Sequence, residues 1–389
     1  MSAGTEESVA HDPAADRAAA EEAHVDAAAV NRVRPYQPER PGGKNWPDVL
    51  TALVEGWALD PEALRWAMTS IFTGTATQSQ TAALMVALRA KGEDAEDLTL
   101  LVEVLMEQAT AIELTNEAVD VVGTGGDRKN TVNISTMASI IAAAAGARVI
   151  KHGNRAASSK CGTADVLEEL GVALELDPAK QQQVLDEVGI VFLFAPLYHS
   201  SMRHAGAARK ELGIPTVFNI LGPLANPAQP RAQALGVAHE PVAELMAEVM
   251  AARGTRGMVF YGNGGLDELS TANTSRVFLV NEGRTSEQQF DPATLGIPAA
   301  DLDDLVGGEP ALNAKILRET LGGATGPVRD IVLLNAAAAM LCYQGPDPDA
   351  DLADQLRPLL EQAAAVVDDG RALRTLDRWV AVTQQLAQN

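Results

Sequence analysis

Two cysteines, Cys161 and Cys342, are all that this chain of 389 residues contains. They lie far apart in no metal-ligand spacing, so a disulfide scaffold is not expected and reduced thiols are. Basic residues are also scarce: 30 Lys and Arg face 52 Asp and Glu, giving a formal charge of −22 and a pI near 4.6. Such a surface repels a phosphate backbone and disfavours generic nucleic-acid binding. It does not exclude a small anionic substrate, which a few oriented N–H groups and one or two cations can hold locally. No apolar run is long enough to span a bilayer; the longest, Ile140–Ala145 and Ile331–Leu341, are short and Ala-rich. The opening MSAGTEESVAHDPAADR has neither a basic region nor an apolar core, so it does not read as a secretory signal. A cytoplasmic protein with no membrane partner is expected. No fixed-period repeat is visible, which argues against a solenoid.

What remains is an ordinary globular composition, 47% hydrophobic and 21% charged, long enough for a large domain and a smaller one. Residues 1–44 are rich in Ala, Asp, Glu and Pro, have few large apolar side chains, and read as a disordered leader. From Trp46 to about Ala111 apolar residues recur at helical spacing: Val49, Leu50, Leu53 and Trp57, then Leu64, Trp66, Ala67 and Ile71. Residues 45–115 are therefore expected to form a small helical domain. After that the pattern alternates. Ala118–Val122, Arg148–Ile150, Val172–Leu176 and Ile190–Ala195 read as strands. Between them 135–145, 164–170 and 178–188 read as helices. The fold class expected is α/β, a small helical domain plus a larger domain with a mostly parallel sheet flanked by helices.

The first chemistry-bearing stretch is Gly123-Thr124-Gly125-Gly126-Asp127, continuing to Thr131, Asn133, Ser135 and Thr136. It falls where a strand ends and a helix begins, so glycines allow close approach of an anion to unpaired N–H groups. A tight turn with a helix cap explains the same residues, and the stretch matches neither the Walker pattern nor the dinucleotide fingerprint. The second stretch follows the next strand: Lys151, His152, Gly153, Asn154, Arg155, Ala156, Ala157, Ser158 and Ser159. Both loops should open at the carboxyl edge of the sheet, where open α/β sheets bind ligands. The third is Asp267-Glu268, adjacent carboxylates on a loop that could hold magnesium but that, isolated, would usually be plain surface. The segment 199–213 carries Arg203, His204, Arg209 and Lys210 on a helix, and Phe218–Pro227 reads as an unusually specific loop. Ala365–Gly370 faintly resembles the phosphate loop of Rossmann-like phosphoribosyltransferases but sits in an Ala-rich helical stretch.

GTGGD, NIST, KHGNRAASS, GTADVLEELG, FNILGPLANP and GLDEL, in this order, closely resemble the anthranilate phosphoribosyltransferase family, over about residues 46–380. The resemblance implies a homodimeric, magnesium-dependent enzyme of tryptophan synthesis. It would bind phosphoribosyl pyrophosphate (PRPP) and anthranilate between a small helical domain and a larger α/β domain. On that pattern Gly123, Gly126, Asp127, Thr131, Asn133, Ser135, Thr136, the 151–159 loop and Thr163 would hold PRPP. Ser135, Asp267 and Glu268 would hold magnesium, and Gly123, Asn154 and Arg209 would contact anthranilate. The Arg209 helix, about 198–213, would return to the helical domain, leaving 116–197 and 214–389 as the α/β domain. His152 is the only histidine in these motifs, and a proton role and a structural one both stay open.

Three positions depart from the family pattern: Arg128 and Thr163 stand where glycine and serine are usual, and Ser200 follows His199 where proline often does. Arg128 adds bulk beside the phosphate loop. Two other functions share parts of this pattern, a pyrimidine nucleoside phosphorylase and a non-catalytic nucleic-acid-binding relative. The acidic charge and Arg209 speak against the second, the KHGNR loop and Asp267-Glu268 against the first.

Overall fold

The computed structural model describes residues 41–156 and 159–388. The leader read at residues 1–44 lies, up to residue 40, outside the described residues, as do Ala157 and Ser158. The chain begins with four helices, α1 Trp46–Val54, α2 Pro61–Phe72, α3 Gln78–Lys91 and α4 Ala95–Glu107. Each starts on a side chain that accepts a free N–H of its first turn: Asn45, Asp60, Thr77 in a capping box with Gln80, and Asp94. A cap of this kind stabilises a helix start by about 1 kcal/mol. The periodic apolar residues Val49, Leu53, Leu64, Ala67 and Ile71 all face inward.

The alternating region follows as β1 Val119–Gly123, α5 Ile134–Ala144, β2 Val149–Gly153, α6 Thr163–Glu169, α7 Pro178–Val188 and β3 Ile190–Phe194. The turn α8 Ala195–Tyr198 and the helices α9 Arg203–Leu212 and α10 Phe218–Leu224 then lead to β4 Ala232–Gly236, α11 Pro241–Ala252 and β5 Arg256–Gly262. A hairpin, β6 Ser275–Asn281 and β7 Arg284–Phe290, precedes four helices, α12 Pro310–Leu321, α13 Pro327–Gln344, α14 Leu352–Asp368 and α15 Arg371–Ala387. The seven strands order as β3-β2-β1-β4-β5-β6-β7, with the first five parallel and the hairpin antiparallel. Successive residues face opposite sides of the sheet. Met258, Phe260, Val277 and Leu279 enter one apolar cluster with α5, α13 and α15. Val259, Phe278 and Val280 enter the other, with α1–α4, α9 and α11.

Two expected elements are corrected. Val172–Leu176 is extended but belongs to no strand. Its alternating burial is real, with Val172, Leu174 and Leu176 in the core. However, the Ala173 N–H donates to Thr383 Oγ1 on α15 at 3.2 Å instead of to a ladder. Half-buried alternation reports one packed face, and a helix can supply that face as well as a sheet. The stretch expected as a loop at 218–227 contains α10, with Pro223 inside it. Ala365–Gly370 falls at the C-terminal end of α14 and its cap, as a helix end.

The chain returns from β3 to β4 on the far side of β1, so neighbouring strands β1 and β4 mark the point where the strand order reverses. The crevice beyond their carboxyl ends is the place where such sheets bind ligands.

Candidate active site

Crowding identifies that crevice. A Cβ at Gly123, the last residue of β1, would strike the Asp267 carboxylate, and one at Gly236, the last of β4, would overlap the Asp267 backbone carbonyl. Glycine at both strand ends thus lets the 266–268 segment lie across the switch point. Asp267 Oδ2 then accepts the Gly125 N–H at 2.8 Å, tying the acidic loop to the glycine loop.

The glycine loop is held in an unusual backbone. Gly125, Gly126, Arg128 and Asn130 all have left-handed φ, at 65°, 83°, 58° and 54°. Left-handed turns of this kind gather N–H groups into a concave, anion-binding surface. Arg128 is thereby strained where glycine would not be. Thr131 pairs with Val306 in an isolated bridge, and Thr136 is buried with its hydroxyl unpartnered among the described residues.

Asp127, Asp267 and Glu268 each present a carboxylate oxygen, all within 4.8 Å of one another. Burial and the Asp127 charge push Asp267 up to about 6. Glu268 is driven well above its ordinary range by burial and by both neighbouring carboxylates. Glu268 Oε2 is buried with no hydrogen-bond partner among the described residues. Hard oxygens clustered against their own repulsion, one of them orphaned, suit a divalent cation such as magnesium. Asp127, expected with PRPP alone, joins this cluster.

Lys151 supplies the opposing charge. It is 2% exposed, yet its Nζ donates to Val121 O and, at 3.2 Å, to Ser135 Oγ. Burial lowers it to about 8, opposed by the charges of Asp120, Glu268 and Asp267. The next side chain on β2 emerges on the other face. His152 packs edge-on against His199, with ring centroids 5.2 Å apart. Burial, first, and the His199 neighbour lower it to about 3. It is a neutral ring inside the protein.

The second loop is clamped from α6. Asp165 Oδ2 accepts the N–H groups of Ala156 and Gly162 at 2.9 and 2.8 Å. A Cβ at Gly162 would overlap the Arg155–Ala156 backbone. Arg155 pairs with Asp165 at 3.1 Å and Glu168 at 2.7 Å and lies over the Phe194 ring, so its guanidinium is already occupied. Asn154 accepts the Arg155 N–H at 2.7 Å, Ser159 Oγ donates to Cys161 O at 3.4 Å, and Thr163 opens α6. Asn133 donates to Cys161 O at 3.3 Å and accepts from Asn313 of α12 at 2.9 Å.

Arg209 lies in the last turn of α9, half-buried, with no carboxylate partner among the described residues; burial lowers its pKa. The Ala208 N–H donates to Gln78 Oε1 at 3.1 Å, and Ala205 and Ala208 share the core of α1–α4. No hydrogen bond joins Arg209 to Gly123 or Asn154 among the described residues. Sequence reasoning missed Asp165, Asn313, Asp120 and Asn226; only the first and last lie within the motifs that carry the family resemblance.

The chain matches two family models, the helical bundle domain of the glycosyl transferase family over residues 47–109 and its a/b domain over 115–373. It is 50% identical over 345 residues to the anthranilate phosphoribosyltransferase of Thermobifida fusca, covering 89% of this chain and 99% of that one. The Salinispora arenicola protein of the same name is 51% identical, covering 88% and 97%. Among solved structures, anthranilate phosphoribosyltransferase from Thermus thermophilus superposes with a TM-score of 0.80 at 37% identity, covering 87% and 99%. The Saccharomyces cerevisiae enzyme in complex with PRPP and Mg follows with 0.78 at 27%, covering 88% and 99%. Two matched domain models, near-complete coverage by relatives at half identity, and a crevice built from the shared motifs agree: this chain belongs to the anthranilate phosphoribosyltransferase family.

Proposed function

We propose that the chain transfers the 5-phosphoribosyl group of PRPP to the amino group of anthranilate and releases pyrophosphate. The observation that carries this reading is the three-carboxylate cluster lying over a left-handed glycine loop, beside buried Lys151. The bond from the anomeric carbon to the pyrophosphate oxygen breaks, a carbon–nitrogen bond forms, and the amine gives up one proton. Asp127, Asp267 and Glu268, and by the family resemblance Ser135, would hold magnesium, which when bound would neutralise charge on the departing pyrophosphate.

The residues of the chain do the rest by placement. The left-handed backbone of residues 125–130 would face the phosphates, and Lys151 adds a positive charge on the same side. Gly123, Gly126, Thr131, Thr136, Asn133, Thr163 and the 151–159 loop belong to the PRPP side of the reading. Arg209, with Gly123 and Asn154, belongs to the anthranilate side, where a planar fork suits the substrate carboxylate. Holding both reactants in line can supply roughly 7–11 kcal/mol of the barrier. An arylamine is weakly basic and sheds its proton readily once bonded, so no strong base is required. Neutral, enclosed His152 serves packing and not proton transfer.

Three broader readings accompany this one as proposals: a small helical domain at 45–115 with a return at 198–213, the remainder of 116–389 as the PRPP-binding domain, and a cytoplasmic homodimer. The shared core of α9 with α1–α4 supports the first. No helix among the described residues is long and apolar enough to cross a membrane. Light scattering tests the dimer.

Anthranilate fluorescence provides the decisive assay. It should fall when the protein, PRPP and magnesium are mixed, and should persist without magnesium or with Asp267→Ala or Arg209→Ala. A flat trace from well-folded wild type would overturn the transferase reading.

A further inference from the structure

Strand β1 is paired along all five residues with β4, and β2 is paired along all five with β3. Between β1 and β2, however, the register holds only at Val119 and Val149. Beyond that pair the ladder between the two strands stops, and backbone groups it would have used must find other partners. Side chains provide them. The His152 N–H donates to Asp120 Oδ1 at 3.2 Å. Asn226 Nδ2 donates both to Asp120 Oδ2 at 2.9 Å and to Ile150 O at 2.8 Å. Val121 O accepts from Lys151 Nζ.

Asp120 is fully buried, and Asn226 is 4% exposed, with its own Oδ1 fixed by the Ala228 N–H at 3.0 Å. The two side chains form a polar wedge in the middle of an otherwise apolar sheet. Two consequences follow from its position. Completing the ladder would give Val121 O to a β2 amide and displace the Lys151 ammonium. It would also draw together the two loops that leave these strands, 124–133 and 154–162.

We infer that Asp120 and Asn226 are positioning residues, a wedge that holds β1 and β2 apart and so sets Lys151 and the spacing of the two PRPP loops. The link to PRPP rests on the function proposed above; the wedge itself does not. Both residues are enclosed in the sheet and act through Lys151 and the loop backbones. Asn226 works from the end of the segment 218–227, and that segment thereby carries one amide into the gap between two strands.

The test compares wild type with Asp120→Asn, which keeps the shape but sets one amide against another, and Asn226→Ser, which is too short to bridge both acceptors. Hydrogen exchange of the ligand-free proteins reads the wedge directly, and calorimetry with PRPP and magnesium reads its consequence. In both variants the amides of 124–132 and 152–156 should exchange about tenfold faster, the equivalent of ~1.4 kcal/mol. The Kd for PRPP should rise by a similar factor while the KM for anthranilate stays within twofold. Unchanged exchange and PRPP affinity would overturn the inference. So would an equal loss for both substrates, or failure of both variants to fold, since the network would then be general scaffolding. Wild type that fails to bind PRPP would sink the transferase reading, and the exchange comparison would still judge the wedge.

Discussion

Asp267→Asn should make the magnesium-free protein more stable while abolishing its response to magnesium. The carboxylate oxygens of Asp127, Asp267 and Glu268 lie within 4.8 Å of one another. At that separation two unit charges repel by ~3.5 kcal/mol at an effective dielectric of about 20. Burial and the Asp127 charge raise Asp267 to about 6, against an ordinary 3.9 or so. That shift corresponds to ~3 kcal/mol of cost at neutral pH, which partial exposure trims to roughly 1–2 kcal/mol. Asparagine removes the charge yet still offers an oxygen to the Gly125 N–H. In EDTA the variant should therefore melt a degree or two higher, about 1–1.5 °C per kcal/mol for a chain of this length. Magnesium should raise the wild-type melting temperature and leave that of the variant unmoved, because a ligand stabilises only a fold that binds it. The pH dependence has a definite sign. A carboxyl whose folded pKa is raised costs stability above about 6, and the cost vanishes as pH falls towards its unfolded value. The advantage of Asp267→Asn in EDTA should then shrink between pH 7.5 and pH 5. A variant that melts below wild type in EDTA, or an advantage that grows on acidification, would refute the reasoning.

Neutral His152, lowered to about 3 by burial, contributes stability that is present above the unfolded value of about 6.5 and lost as pH falls below it. In urea titrations the stability gap between wild type and His152→Asn should close by ~1.6 kcal/mol in all between pH 6.5 and 5; parallel curves would count against the enclosed neutral ring. Arg128 sits at φ 58°, so Arg128→Gly should equal or exceed wild type by up to about 1 kcal/mol. Arg128→Ala, still left-handed, should gain nothing, and an alanine variant more stable than the glycine one would contradict the strain. Asp165→Asn removes one of the oxygens that clamp Ala156, Gly162 and Arg155. It should raise the KM for PRPP by roughly tenfold, the effect of ~1.4 kcal/mol out of the 1–3 kcal/mol that a lost buried acceptor costs; an effect confined to anthranilate would point elsewhere.

Much of the architecture was legible because local pattern and tertiary demand coincide. The spacing of Leu64, Ala67 and Ile71 reads as a helix and is buried as one. The strand ends at Gly123 and Gly153 read as loop openings and open at one edge of the sheet. Where they diverge, the missing information is tertiary. Val172–Leu176 alternates like a strand because one of its faces is covered by α15, and periodicity does not distinguish a covering helix from a pairing strand. Asp127 reads as part of a phosphate loop, and only folding brings it to Asp267 and Glu268.

The same limit explains why the glycine loop was ambiguous in isolation. A turn before a helix asks for glycine at φ > 0, and Gly125 and Gly126 meet that request by themselves. Gly123 and Gly236 have no such local reason, since neither has positive φ. Their reason is Asp267, which lies 142 residues beyond Gly125 in the chain and fills the space both side chains would need. Asp120 is the extreme case: an acidic residue inside an apolar strand looks like a misfit until Asn226, 106 residues away, supplies its donor. A buried carboxylate is tolerated only where such donors converge. Its presence in β1 therefore implies a distant partner without naming it, and the partner proves to be the amide that parts β1 from β2.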